Sequence, residues 1–150
     1  MKILLAVDGS ECSRAAAAEA ARRPWPAGSE VKVISVYGVR LSPMAKPWLL
    51  PRNEGGILEA RRQEALNIVK ETAAELVSGS RGQLVIKQEA REGSPKQVIL
   101  EEAEAWGTDL IILGSHGYGP CDRFLLGSVS NAVAAHARCS VEIVRRHKRD

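Results

Sequence analysis

Short segments rich in Val, Ile and Leu alternate along this chain with segments that carry helix-forming patterns. The runs at residues 2–7 and 108–114 are almost continuously apolar, which is typical of strands buried on both faces. Strands and helices that alternate in this way predict a parallel sheet with helices packed on both of its faces. The order β-α-β-α-β-α-β-α-β therefore gives the fold class as α/β, in a single domain of residues 1–150.

The boundaries of the predicted elements follow from prolines, glycines and capping residues. The predicted strands are residues 2–7, 30–38, 83–93, 108–114 and 140–146, and the predicted helices are residues 10–23, 57–77, 94–107 and 127–139. Residues 39–56 contain three prolines and two glycines, so we expect an unusually long loop there. The adjacent Glu101 and Glu102 are predicted to lie on a solvated helix face.

The net charge of +3 comes from a basic tail. Four of the 21 lysine and arginine residues lie at positions 145, 146, 148 and 149, and without them the 18 acidic residues are in slight excess. We interpret residues 144–150 as a solvated terminus, and nucleic acid is not expected as a partner.

Cysteine usage and hydropathy narrow the class of protein further. The chain has three cysteines and no CxxC, which argues against a disulfide framework and against a structural zinc site. No apolar run reaches the roughly 18–20 residues of a membrane helix. The opening MKILLAVDGS lacks the features of a secretory signal, so we expect a cytoplasmic protein with no membrane partner.

A glycine-containing segment follows the fourth predicted strand. Amide groups after Gly114 could form a nest for anions, and a glycine allows a phosphate to approach the backbone closely. A helix start at Gly127 adds free amides and the positive end of a helix dipole. The candidate residues are Gly114, Ser115, His116, Gly117, Gly119, Gly127, Ser128 and Ser130, with the serine hydroxyls of 128 and 130 as further donors. The alternative is a glycine-rich turn followed by a capped helix.

Asp8 ends the first predicted strand and precedes Gly9 and Ser10. In a parallel sheet this carboxylate lies at the same edge as the glycine segment. As a hydrogen-bond acceptor, it suits the donor groups of a ribose or a base. Its negative charge would repel phosphate. The alternative role for Asp8 is a helix cap.

Other nucleotide and catalytic patterns are missing from the sequence. It has neither GxxxxGK[ST] nor a GxGxxG after the first strand, and it has no GxSxG. The histidines at 116, 136 and 147 show no recognisable Ser/Asp partner pattern. We therefore assign no catalytic residue and expect slow turnover at most.

The spacing of the glycines resembles the signature of the universal stress protein family, G-x2-G-x9-G-[ST]. Here it is Gly114, two residues, Gly117, nine residues, then Gly127-Ser128. The segments ILLAVDGSECSRAA, GSPKQVILEEAEAWGTDLIILGSHGYG and LLGSVSNAVAAHARCSVEIV are also similar to the family, in the same order. The resemblance implies a Rossmann-like three-layer α/β/α sandwich with five parallel strands in the order 3-2-1-4-5. It also implies a homodimer joined through the last strand, from Val141 to Arg145.

The resemblance implies a ligand as well. ATP, or alternatively AMP or ADP, would lie at the carboxyl ends of the strands, with Mg²⁺ or Mn²⁺ bridging the phosphates and no protein metal site. Adenine and ribose would contact Ala6, Asp8 and Val36. Ribose and phosphates would be held by Gly114, Ser115, His116, Gly117, Gly119, Gly127, Ser128, Val129 and Ser130.

The chain departs from the family pattern at three places. Cys139-Ser140-Val141 stands where Cys-Pro-Val is frequent, and Glu142 stands where an apolar residue is common. These two departures bear on the dimer. Pro120 and Cys121 alter the glycine loop and bear on how it would close on a γ-phosphate.

Three functions are consistent with the sequence. The first is an ATP-binding regulatory protein of the stress response. The second is a slow ATPase or a self-phosphorylating enzyme, with Ser128 or Ser130 as acceptor. The third is a dimeric scaffold that binds no nucleotide.

Overall fold

The computed structural model of the chain describes residues 1–38, 54–117 and 126–145. The predictions that concern Gly119, Pro120, Cys121 and the tail after residue 145 lie outside these ranges. The elements are β1 (Lys2–Ala6), α1 (Glu11–Arg22), β2 (Glu30–Tyr37), α2 (Glu54–Ser80), β3 (Val85–Glu92), α3 (Pro95–Trp106), β4 (Leu110–Gly114), α4 (Ser128–His136) and β5 (Ser140–Val144).

All described strands form one parallel sheet in the order β3-β2-β1-β4-β5. β1 lies at its centre, with Leu5 paired to Val33 of β2 and to Ile112 of β4. The predicted α/β class and strand order are confirmed.

Two apolar cores lie on opposite faces of the sheet because side chains of a strand alternate between faces. Ile3 and Leu5 of β1 belong to the core under α1 and α2, while Leu4 and Ala6 belong to the core under α3 and α4. Both cores are aliphatic. The result is the predicted three-layer α/β/α sandwich.

Capping residues fix the helix ends close to the predicted positions. Ser10 is the N-cap of α1, and its hydroxyl accepts a hydrogen bond from the Ser13 amide at 3.3 Å. Ser94 precedes α3 with Pro95 as its first residue, and Gly107 ends that helix with φ +68°. A left-handed conformation favours glycine at this position.

Three helix boundaries differ from the prediction by three residues, and one of them is the end of α2, at Ser80 instead of residue 77. α2 begins at Glu54 and includes Gly55 and Gly56, where we expected loop. Glycine lowers helix propensity, but the first turn of a helix tolerates it because those amides have no intrahelical partner. α4 ends at His136 and does not reach residue 139. The backbone of Ala137 is extended, and its side chain packs against the core under α3 and α4.

Glu102 is not solvated, contrary to the prediction. It is 7% exposed, and its carboxylate accepts hydrogen bonds from Lys32 and, at 2.9 Å, from Arg91. The Lys32 ammonium also lies 4.7 Å from the centre of the Trp106 ring. A buried carboxylate needs such partners, and they lie on β2 and β3. Glu101 is exposed, as predicted.

Cys12 and Cys139 occupy apolar surroundings. Cys12 is buried in α1, and Cys139 packs against the core below α3 and α4. Burial raises the pKa of the Cys139 thiol, so this side chain stays protonated over a wider pH range.

Within the described ranges, no helix combines the length and the apolar character that crossing a membrane requires.

α1 and α2 cross at Gly79 with little space between their backbones. A Cβ built at Gly79 would lie 2.6 Å from the carbonyl oxygen of Ala21 and 2.8 Å from its Cβ. Because the obstacle is backbone, it cannot move aside by a change of rotamer. Glycine at this position therefore sets the distance between the two helices.

We predict that Gly79→Ala lowers the free energy of unfolding by about 1–3 kcal/mol, the usual cost of overpacking. Urea denaturation followed by circular dichroism measures this. Gly55→Ala is the matched control, since it lies in the same helix and a Cβ there meets nothing within 4 Å. Its stability should equal that of wild type or exceed it by up to about 1 kcal/mol, because alanine favours the helix more than glycine does. Equal stability of the two variants would contradict the crossing described.

Candidate functional site

The candidate site lies where β1 and β4 end side by side. From β1 the chain continues into α1 on one face of the sheet, and from β4 it continues towards α4 on the other face. Connections that leave in opposite directions open a crevice between the two strand ends. In doubly wound sheets this switch point is where ligands bind.

Asp8 forms one wall of the crevice. Its Oδ1 accepts a hydrogen bond from the Ser10 amide at 2.9 Å, and Gly9 between them has φ +80°. The cap of α1 is Ser10, so Asp8 does not serve as the N-cap. The other oxygen, Oδ2, faces Gly117 and would lie 2.7 Å from a Cβ built there. The Gly117 backbone therefore lies close to this carboxylate oxygen, with no room for a side chain beside it.

Gly114 brings the end of β4 against the first turn of α1. A Cβ at this position would lie 2.6 Å from the carbonyl carbon of Cys12 and 2.7 Å from the amide nitrogen of Ser13. The glycine is needed for this close approach of two backbones. It also places the residues after it directly beside the turn that contains Asp8.

Ser115 and His116 are tied to the surrounding elements. The Ser115 amide donates to the carbonyl of Val144 at 2.9 Å, and its hydroxyl donates to Cys12 Sγ at 3.6 Å. The Nδ1 atom of His116 lies 3.1 Å from the Ser115 hydroxyl. The Ser10 hydroxyl donates to the His116 carbonyl at 3.3 Å. The segment before Gly117 is thus held by β5 and by α1.

The start of α4 is bonded to the same segment. The Gly127 amide donates to the Ser115 carbonyl at 2.8 Å. The Ser130 hydroxyl lies 2.8 Å from the same carbonyl and 3.0 Å from that of Gly127. A Cβ on Gly127 would lie 3.1 Å from the Ser115 carbonyl oxygen, so this glycine serves close packing.

The amides of Ser128, Val129 and Ser130 belong to the first turn of α4, where backbone N–H groups have no intrahelical acceptor. Ser128 is exposed and Val129 is half-buried. The helix dipole adds partial positive charge at this end. This edge of the crevice therefore offers donors to an anion.

The structure brings most of the predicted site residues together. The residues that surround the ends of β1 and β4 are Asp8, Gly114, Ser115, His116, Gly117, Gly127, Ser128, Val129 and Ser130. Ala6 and Val36 line the neighbouring strand ends on the face that α4 covers. Gly119 falls outside the described residues.

Two predicted hydroxyl groups have protein partners. Ser115 and Ser130 are each 2% exposed, and their hydroxyls bond to Cys12 and to the carbonyls described above. Ser128 is the exposed hydroxyl of the set. Sequence analysis did not assign Ser10 to the site, because its role in capping concealed its contact with the His116 carbonyl.

In the described part of the chain, no group of three or more His, Cys, Asp or Glu side chains is placed to hold a metal ion.

We predict that Ser130→Ala lowers the free energy of unfolding by about 0.5–1.5 kcal/mol, the net value of one hydrogen bond. The variant loses one of the two hydrogen bonds that link the start of α4 to the Ser115 carbonyl and keeps the other, from the Gly127 amide. Thermal denaturation compares it with Ser128→Ala, which lies two residues earlier and is exposed. That control should change stability by less than about 0.5 kcal/mol. Equal losses in both variants would contradict the link.

A doubly wound parallel sheet with a glycine-lined crevice at its switch point defines a class of α/β domains that bind ligands at their strand ends. The profile of the universal stress protein family matches residues 1–145. The chain therefore belongs to the universal stress protein family, and the resemblance seen in the sequence is confirmed.

Individual relatives agree with this assignment. A universal stress protein of Methanocaldococcus jannaschii is 35% identical over 155 residues, which cover 99% of this chain and 84% of that protein. The solved structure of universal stress protein UspA from Lactobacillus plantarum superposes with a TM-score of 0.75 at 26% identity, and the match covers 97% of each chain.

Two further solved structures with this fold contain adenine nucleotides. One is a universal stress protein in complex with cAMP, with a TM-score of 0.68, 22% identity and 96% of each chain covered. The other is an Arabidopsis thaliana family protein with AMP bound, with a TM-score of 0.63 and 17% identity over 98% of this chain and 92% of that one.

Proposed function

We propose that this protein is a regulatory protein of the stress response that binds an adenine nucleotide, foremost ATP, in the crevice between the ends of β1 and β4. The observation that carries the proposal is that a hydrogen-bond acceptor and free amide donors lie together at this edge of the sheet. A carboxylate oxygen of Asp8 faces the bare backbone of Gly117, and the first amides of α4 lie beyond it. The adenine nucleotides in two proteins with the same fold support the choice of ligand.

The charges of the crevice assign an orientation to the nucleotide. Asp8 repels phosphate but accepts hydrogen bonds, so it suits the ribose hydroxyls. The first turn of α4 donates amides and carries partial positive charge, so it suits the phosphates. Gly117 has no side chain, so its backbone lies close to Asp8 without a group that would cover Oδ2.

Adenine would occupy the strand ends on the face that α4 covers. Ala6 is 8% exposed and Val36 is half-buried, and both belong to the apolar core on that face. A small and a β-branched side chain leave a shallow apolar surface for a flat base. Mg²⁺ or Mn²⁺ would enter with the phosphates, which supply oxygen ligands of the kind these ions prefer.

Binding without efficient hydrolysis fits the polar groups of the site. The contact between Ser115 and His116 is a serine–histidine pair, but Ser115 is 2% exposed and its hydroxyl donates to Cys12. A nucleophile must reach the substrate, and this hydroxyl is covered by protein. The protein would act by changing partners or dimer state when the nucleotide binds, in the cytoplasm and as a homodimer through β5.

Isothermal titration with ATP, AMP and cAMP, with and without Mg²⁺, tests the proposal. We expect saturable binding of at least one of these nucleotides. Gly117→Val should weaken it by about tenfold or more, equivalent to about 1.4 kcal/mol, because the new side chain would meet Asp8. Gly55→Ala is the control and should bind as wild type does. Absence of binding at millimolar nucleotide, or unchanged binding in Gly117→Val, rejects this function.

Asp8→Asn separates a ribose contact from a phosphate contact. The amide keeps an oxygen for the Ser10 amide and replaces the oxygen that faces Gly117 with a donor. We predict an affinity loss of about five- to tenfold that is the same for adenosine and for ATP, measured by the same titration. Tighter binding of ATP by this variant would mean that Asp8 faces the phosphates, and the orientation above would be wrong.

A mass-spectrometric search for phosphorylated serine after incubation with ATP, together with a phosphate-release assay, distinguishes the enzymatic alternative. Modification of the exposed Ser128, or sustained release of phosphate, would favour it over regulated binding.

A further inference from the structure

β5 forms one edge of the sheet. It pairs with β4 on one side, and among residues 1–38, 54–117 and 126–145 no strand pairs with its other side. Glu142 is at the middle of this strand and is level with Ile112 of β4. Ile112 belongs to the core under α1, so the Glu142 side chain lies on the α1 face of the sheet.

Arg23 holds this carboxylate with two hydrogen bonds. Its Nη1 lies 2.6 Å from Glu142 Oε2, and its Nη2 lies 2.7 Å from Oε1. This is the parallel arrangement in which a guanidinium binds a carboxylate most strongly. The Arg23 and Glu142 side chains are 32% and 28% exposed, so the pair is sheltered but reaches the surface.

The position of Arg23 is itself well determined. Arg23 is the C-cap residue of α1, and its guanidinium carbon lies 5.1 Å from the centre of the Trp25 ring. The Trp25 indole donates to the Ala20 carbonyl at 2.8 Å, which fixes the ring against α1. The hydrogen bond to Glu142 raises the pKa of Arg23 above its ordinary value. The guanidinium is therefore a fixed positive charge beside the edge strand.

A charged side chain on an edge strand normally keeps other strands from pairing with it. Glu142 by itself would act in this way. Because Arg23 neutralises it, the edge presents backbone donors and acceptors without net charge at its centre. The apolar neighbours Val141 and Ile143 pack into the core on the opposite face.

Symmetry determines what a second copy would bring to this edge. Two antiparallel β5 strands related by a two-fold axis place the same residue of each copy at the axis. Pairing along the whole strand from Ser140 to Val144 puts Glu142 at that axis. The two carboxylates would then point to the same face, with their Cβ atoms about 4.5–5.5 Å apart.

We propose that Arg23 permits β5 of this protein to pair with β5 of a second copy, by neutralising the two Glu142 side chains that meet at the axis. The inference rests on the homodimer in the proposed function and assigns the residue that controls it. A guanidinium has five N–H donors. Two of them contact Glu142, and Nη2 also lies 3.5 Å from Glu19 Oε1. Registers centred on Val141 or Ile143 would separate the carboxylates but shorten the ladder.

Sedimentation equilibrium over a range of concentrations tests this in four proteins: wild type, Arg23→Ala, Glu142→Gln, and the double variant. We expect Arg23→Ala to weaken dimerisation by about tenfold or more, because two uncompensated carboxylates then face each other. The double variant should recover to within about threefold of wild type. Arg62→Ala is the control, since it removes an exposed arginine of α2 that pairs with Glu59 at 3.3 Å and contacts neither Arg23 nor Glu142.

The salt dependence of dimerisation is a second measurement, and a merely structural role of Arg23 would not alter it. Added salt should strengthen the dimerisation of Arg23→Ala by screening the two carboxylates, and it should not strengthen that of the double variant. Circular dichroism confirms that each variant is folded. Nucleotide titration of each variant keeps this inference separate from the nucleotide site.

Three outcomes of these measurements would overturn part or all of this inference. A wild-type dimer that Arg23→Ala leaves unchanged overturns the role of Arg23 and leaves the homodimer in place. A double variant as weak as Arg23→Ala overturns the neutralisation and makes Arg23 a packing residue. A wild type that stays monomeric at all concentrations, with nucleotide bound or absent, removes both the dimer and this inference, while nucleotide binding stands on its own titration.

Discussion

The pairing of β1 with both β2 and β4 is the interaction on which the rest of this molecule depends. β1 is fully buried along its centre, with Ile3, Leu4 and Leu5 each at 0% exposure. A strand in that position must be apolar on both faces. Its carboxyl end lies midway between the two outer strands of the sheet. The chain leaves it towards one face and leaves β4 towards the other, and the crevice between them follows directly from this topology.

Local sequence patterns were sufficient for the elements and the α/β class, whereas the strand order was expected from the resemblance to the family. Apolar runs, caps such as Ser10 and Ser94, and stop signals such as Gly107 depend on a few neighbouring residues. The site glycines could also be found from their spacing. The structural reasons for these glycines could not be found from the sequence. Gly114 allows α1 to approach β4 closely, and Gly127, whose φ of −62° any residue can adopt, allows close packing against Ser115.

The failures of sequence analysis concern partners that are distant in the chain. Glu102 looks solvated in the sequence because Lys32 and Arg91 reach it only when β2 and β3 pair. Glu142 looks out of place in a strand because Arg23 lies 119 residues away. The Ser130 hydroxyl was expected to meet a ligand, and its protein acceptor Ser115 becomes close only after α4 packs. Charge and hydroxyl groups reveal their roles only in three dimensions.

The hydrogen bond from the Ser115 amide to the Val144 carbonyl joins the last residue of the edge strand to the segment that leads to Gly117. The crevice and the edge strand β5 are therefore connected by a direct backbone hydrogen bond. Thermodynamic linkage then makes any communication between them reciprocal. If a ligand in the crevice changes the self-association constant by some factor, self-association changes the affinity for that ligand by the same factor. Under the proposed function, the concentration of the protein itself would then help to set the nucleotide level to which it responds.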